Sequence, residues 1–172
     1  LTNSRRRYLV DSQSLSVDKG EELHNIFTGE KTRVKEIYSG FHRVSSTKVQ
    51  KNVVLELSKE ISIAKGDLLS TENYSNQLTD SFKGKVIWCS NTLLETSKNY
   101  IFQFENKEIG GFISKVNDRS HFKNEIFDAT IELNEKNLLT KGSEKVNNFL
   151  VIDPYTNESL GFGFCLYSLD RG

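Results

Sequence analysis

Apolar residues in this sequence come in short runs rich in Val, Ile, Phe and Tyr, broken by turn-forming residues, and nowhere do they sustain a 3.6-residue period. β-Branched and aromatic side chains suit a pleated, half-buried surface, whereas an amphipathic helix needs apolar positions three and four apart. The chain is therefore read as all-β. Strands are expected over residues 7–10, 22–27, 32–39, 52–57, 67–70, 81–88, 99–104, 107–116, 127–133, 148–153 and 159–168.

The breaks have chemical causes. Phe27-Thr28-Gly29-Glu30 sets a glycine between two runs, where a positive φ costs it nothing, and predicts a hairpin. Asp153-Pro154-Tyr155-Thr156-Asn157 predicts a second, since proline presets φ for a turn and Asn157 tolerates the left-handed region. Asp18-Lys19-Gly20-Glu21 and Ala64-Lys65-Gly66-Asp67 share a Lys-Gly-acid pattern and are read as surface turns feeding strands. The polar stretch from Thr71 to Gln77 divides the chain into two strand-rich halves, predicting domains at residues 1–77 and 78–172.

Composition narrows the function. With 23 basic and 23 acidic residues the net charge is zero, so no global field draws the 172-residue chain to nucleic acid or an anionic membrane. No 18-residue apolar span and no secretion leader is seen, and the two cysteines, Cys89 and Cys165, stand in apolar runs as buried thiols of a reducing compartment do. The cytoplasm is the expected location. The sequence opens at Leu1 and contains no methionine, so it is read as part of a longer polypeptide.

Catalytic and cofactor motifs are not found. A phosphate loop needs Gly-x-x-x-x-Gly-Lys-Ser/Thr; Gly110-Gly111 lies instead in a strand-like run, where glycines mark a bulge or close backbone contact. His24, His42 and His121 stand apart, without metal-ligand spacing, and are read as solvated or rim residues. No nucleophile carries a recognisable context, so no catalytic, cofactor-binding or metal residue is assigned. Arg5-Arg6-Arg7 beside Tyr8 has two readings: phosphate and base contacts, or the charged guard of an edge strand. The aromatic runs 100–104 and 162–167 are read as core-packing barrel strands.

Several segments taken together carry a resemblance. Lys31-Thr32-Arg33-Val34-Lys35-Glu36-Ile37 after the glycine hairpin, the stretch from Leu55 to Leu69 ending in Gly66-Asp67, Phe82 with Val86-Ile87-Trp88, Ile113 with Val116, Ile131-Glu132-Leu133-Asn134, and the run from Phe149 through Asp153-Pro154 to Gly163 occur in the order of one family. They resemble the part of the large, GTPase subunit of bacterial sulfate adenylyltransferase that follows its G domain, itself similar to the second and third domains of elongation factor Tu. The resemblance implies two antiparallel β-barrels of the translation-factor domain 2 and domain 3 type, the first lacking its first strand. The connection 140–146 is shorter and less basic than its counterpart.

In that family GTP hydrolysis is coupled to adenylyl transfer from ATP to sulfate. The resemblance thus implies an accessory region without catalytic residues, partnered by the G domain of the same subunit and by the catalytic small subunit, with GTP and Mg held in the G domain rather than in this chain. The alternative is a tRNA-binding or other nucleic-acid-binding barrel pair of a translation-type GTPase, with Arg5–Arg7 continuing into Lys31, Arg33 and Lys35. Zero net charge argues against it.

Overall fold

The computed structural model describes residues 6–11, 16–48, 52–74, 77–105, 107–116, 123–139 and 148–168. They hold twelve strands and no α-helix. The chain divides into two compact units, Leu1–Ser75 and Asn76–Gly172.

The first unit contains β1 (Arg7–Asp11), β2 (Glu22–Asn25), β3 (Lys31–Ser39), β4 (His42–Val44), β5 (Asn52–Leu57) and β6 (Leu69–Ser70). They form an antiparallel sheet in the order β1-β5-β3-β2-β6, with β4 on β3. Alternation builds its core: Val34, Ile37, Val53, Leu55 and Leu57 turn inward onto Leu23, Val17 and Ile61. Val34 and Ile37 are three apart, which a regular strand would place on opposite faces. A register shift between Val34 and Glu36 resets the phase and keeps both inside.

Asn25, fully buried, closes the first hairpin. Its Oδ1 accepts the N–H of Phe27 at 3.0 Å, and its Nδ2 donates to the Ser62 carbonyl and the Asp67 carboxylate at 2.8 Å each. The two Lys-Gly-acid turns share one geometry. In each the first residue donates its N–H to the acid's carboxylate, Asp18 to Glu21 at 2.8 Å and Ala64 to Asp67 at 2.9 Å, around a glycine at φ 93° or 90°.

The second unit is a closed barrel of β7 (Leu78–Trp88), β8 (Asn99–Gln103), β9 (Glu108–Val116), β10 (Glu125–Leu138), β11 (Asn148–Ile152) and β12 (Ser159–Ser168), in the order β10-β7-β12-β11-β8-β9. Closure leaves no free sheet edge along the barrel wall. Its interior is aromatic: Phe149 meets Phe82 and Phe102 edge-on at centroid distances of 5.6 and 5.7 Å, and Trp88 meets Tyr100 at 6.1 Å. The polar tips are satisfied, Trp88 Nε1 donating to the Thr92 carbonyl at 2.7 Å and the Tyr100 hydroxyl to the Glu95 carbonyl at 3.1 Å. Asp153 shapes the closing hairpin, its Oδ1 accepting the N–H groups of Tyr155 and Thr156 while Asn157 sits at φ 58°.

Gly111 explains part of the glycine pair. A Cβ there would lie 2.4 Å from the Glu132 carbonyl oxygen and 3.0 Å from Leu133 Cα, so β9 and β10 approach too closely for any side chain. Strands also depart from expectation. β4 was not foreseen, β10 runs on to Leu138 past a register shift between Glu132 and Asn137, and β6 is shorter than the run 67–70.

Candidate functional site

The barrel's most distinctive surface lies on its outer wall. Cross-strand registers place Leu150 of β11 opposite Phe162 of β12, Phe162 opposite Ile87 of β7, and Ile87 opposite Ile126 of β10. These four neighbours make a continuous apolar row across four adjacent strands. Phe162 is 46% exposed and Ile126 62% exposed, while Ile87 is half-buried between them. Phe164 and Leu166 extend the exposed apolar surface along β12. Next to the row, Phe164 stands opposite Lys85, which pairs with Asp128 at 2.8 Å, so a charged pair borders the band.

A groove of ≈ 730 Å³ runs beside the row, between residues 103–105, 148–150 and 162–164. Contiguous apolar surface bordered by charge is the composition of protein–protein interfaces rather than of solvated walls.

This corrects the reading of β12 as core-packing aromatics. Phe162, Phe164 and Leu166 face outward, while Gly161 and Gly163, on the other face of the strand, are buried. The cause is steric: a Cβ at Gly161 would lie 2.5 Å from the Ile87 carbonyl oxygen, and one at Gly163 2.5 Å from that of Lys85. The other run behaves as expected, with Tyr100, Phe102 and Phe104 all buried.

The cysteines also differ from expectation. Cys89 follows the inward Trp88, so the next position turns out and its thiol is exposed; Cys165 is half-buried and burial pushes its thiol up to about 11. On the closing hairpin, the N–H groups of Tyr155 and Thr156 hold the Asp153 carboxyl below the usual range, aided by Lys98 at 3.2 Å.

The basic residues singled out in the first unit meet carboxylates. Arg6 lies 3.9 Å from Glu60, Lys31 and Arg33 lie 3.7 and 3.8 Å from Glu22, and Lys35 lies 2.7 Å from Glu56. Arg7 stacks 4.6 Å from the centre of the Tyr38 ring and lies 3.7 Å from Glu56. These cations belong to a mixed lattice of charges spread over β1, β5, β3 and β2. His24 is half-buried with Nε2 3.6 Å from Glu22, and His42 is exposed; Arg5 and His121 lie outside the described residues. Gly110 and Gly111 lie within β9 and not in a loop. Among the described residues no three His, Cys, Asp or Glu side chains gather as a metal site, and no helix is long and apolar enough to cross a membrane.

Comparison with known proteins bears on the same chain. No protein-family model matches it. Sulfate adenylyltransferase subunit 1 of Saccharophagus degradans is 28% identical over 169 residues, covering 90% of this chain and 36% of that protein. The same subunit of Aliivibrio fischeri is 27% identical over 168 residues, covering 90% and 35%. The bifunctional enzyme NodQ of a Rhizobium species is 25% identical over 170 residues, covering 91% and 26%. The chain thus spans about a third of the length, or less, of these relatives. Among solved structures, that of sup35 complexed with GDP superposes with a TM-score of 0.77 and 16% identity, covering 92% of this chain and 43% of the other, a likeness of fold alone. By sequence the chain resembles the C-terminal β-barrel region of the large subunit of sulfate adenylyltransferase, and its all-β fold is of the translation-factor type.

Proposed function

We propose that this chain is the accessory β-barrel region of the GTPase subunit of ATP:sulfate adenylyltransferase, bracing the subunit's G domain and contacting the catalytic small subunit. GTP and magnesium belong, on this reading, to the G domain. The observation that carries it is the outer row Leu150–Phe162–Ile87–Ile126, a coherent apolar band on a barrel whose core is already filled by other side chains. Such a band costs solubility unless a protein covers it. The small subunit is assigned to the band, and the G domain to other surface.

The nucleic-acid reading has less support, because Lys31, Arg33 and Lys35 each face a carboxylate of their own sheet.

The test is sedimentation of the 172-residue chain with purified small subunit, followed by the Leu150→Ser/Phe162→Ser double variant. A complex is expected, and its loss on substitution should be about 2 kcal/mol or more, roughly thirtyfold in Kd. Absence of a complex, or an unchanged Kd in the folded double variant, removes the reading. The chain alone is expected to show no GTP turnover.

A further inference from the structure

The side chains of the outer row lie one to a strand, Leu150 on β11, Phe162 on β12, Ile87 on β7 and Ile126 on β10, each opposite the next. The row therefore runs across the strands rather than along any of them. Neighbouring strands are about 4.8 Å apart, so its two ends are separated by roughly 14 Å. Toward β8 it stops at Gln103, which stands opposite Leu150. A second row lies two residues along each strand: Asn148 opposite Phe164, Phe164 opposite Lys85, and Lys85 opposite Asp128. Lys85 and Asp128 are both partly exposed, so charge borders this flank of the band where it crosses β7 and β10.

Shape limits what can cover such a row. The barrel is closed, so a partner finds no sheet edge there to which it could add a strand through main-chain hydrogen bonds. An extended segment laid across the row would press its own amide groups against apolar side chains that cannot hydrogen-bond. An α-helix makes its backbone bonds within itself, and its turns repeat about every 5.4 Å, close to the strand spacing of about 4.8 Å. One apolar residue per turn then meets one residue of the row, and a row of roughly 14 Å takes about nine helical residues.

Resting on the assignment of this band to the catalytic small subunit, we propose that its occupant is an amphipathic α-helix of that subunit, about three turns long, laid across β11, β12, β7 and β10. Its apolar positions recur three and four apart and follow the row from Leu150 to Ile126. Its flank toward Lys85 and Asp128 is polar, because an apolar flank would strip water from both charges.

The experiment places p-benzoylphenylalanine at position 150, 162 or 126 of the 172-residue chain, one at a time, and irradiates each folded chain, checked by circular dichroism, with the purified small subunit. Mass spectrometry is expected to find all three attached within one segment of the small subunit, in the order of the row, the outer two about nine residues apart. An extended segment would set them about four apart. Alanine scanning of that segment should weaken the complex about tenfold or more at positions recurring every three or four residues. Absence of a complex, or a complex that cross-links at none of the three positions, removes the assignment of the band to the small subunit and this proposal with it. A complex whose cross-links fall in unconnected segments, or whose losses recur at every second residue or without period, leaves that assignment standing and overturns the helix.

Discussion

Alanine at Gly111 and at Gly110 should have very different consequences, although the two are adjacent in one strand. At Gly111 the new methyl would meet the Glu132 carbonyl oxygen at 2.4 Å, and β9 and β10 are locked in a closed barrel, so neither backbone can retreat alone. An ordinary carbon–oxygen contact is about 3.3 Å, so the strands must separate by roughly 0.9 Å where Gly111 stands opposite Leu133. Overpacking of this kind costs about 3 kcal/mol, offset by at most about 1 kcal/mol from the stiffer unfolded chain. At Gly110 the methyl meets only the tip of the exposed Asn134 side chain at 2.8 Å, which can swing away, so the net change should stay within about 1 kcal/mol.

Trp88 is the sole tryptophan and is fully buried in the barrel, so its fluorescence during urea unfolding follows the second unit without interference from the first. With a slope of about 1.5 kcal/mol per molar, G111A should lower the midpoint by roughly 1–2 M and G110A by well under 1 M. Equal shifts for the two variants would refute the steric argument.

Three further outcomes can be checked directly. Among the described residues the buried Tyr8 hydroxyl has no hydrogen-bond partner, so Tyr8→Phe should stabilise the first unit by about 1 kcal/mol; a comparable loss in calorimetry would mean that the hydroxyl is engaged. Cys89 is exposed while the Cys165 thiol is pushed up to about 11, so a maleimide at neutral pH should label Cys89 first and by a wide margin, and equal rates by mass spectrometry would contradict the burial of Cys165. Because the folded Asp153 carboxyl lies below its ordinary value, its stabilising effect is complete above the usual carboxylate range and is lost as pH falls through the lowered folded value. Asp153→Asn keeps an acceptor for the turn but cannot titrate, so the stability gap between wild type and variant should close on acidification; a gap independent of pH would remove Asp153 as its source.

Strands were legible where the apolar pattern was local. β3, β5 and β12 follow from runs of β-branched and aromatic residues, and the hairpins at Gly29 and Asn157 follow from single residues with known φ preferences. β4 was invisible because His42-Arg43-Val44 carries almost no apolar signal and is a strand only through its pairing with β3. The far part of β10 was hidden for a similar reason, since Asn134-Glu135-Lys136-Asn137 reads as loop and is kept extended by a displaced register against β7.

The candidate surface was the least legible feature. Leu150, Phe162, Ile87 and Ile126 come from four separated segments, and only strand order and register make them neighbours. Alternation in β12 could have flagged its half of the row, because Gly161 and Gly163 share one face and Phe162 and Phe164 the other. What hid the assignment was the habit of sending aromatics inward, which fails where the inner wall has room only for hydrogen atoms.

The two-residue alternation of the barrel wall also bears on how such a protein can change over generations. From Gly161 to Phe164 in β12 each step along the chain switches between a position constrained by folding and one constrained by whatever lies outside, and the same holds at Phe149 and Leu150 in β11. On the proposed reading of the outer row, a lineage can therefore rewrite Leu150, Phe162 or Ile126 to follow a drifting partner while Phe149, Val151 and Trp88 stay as they are. Recognition and foldability are inherited on interleaved but separate sets of codons.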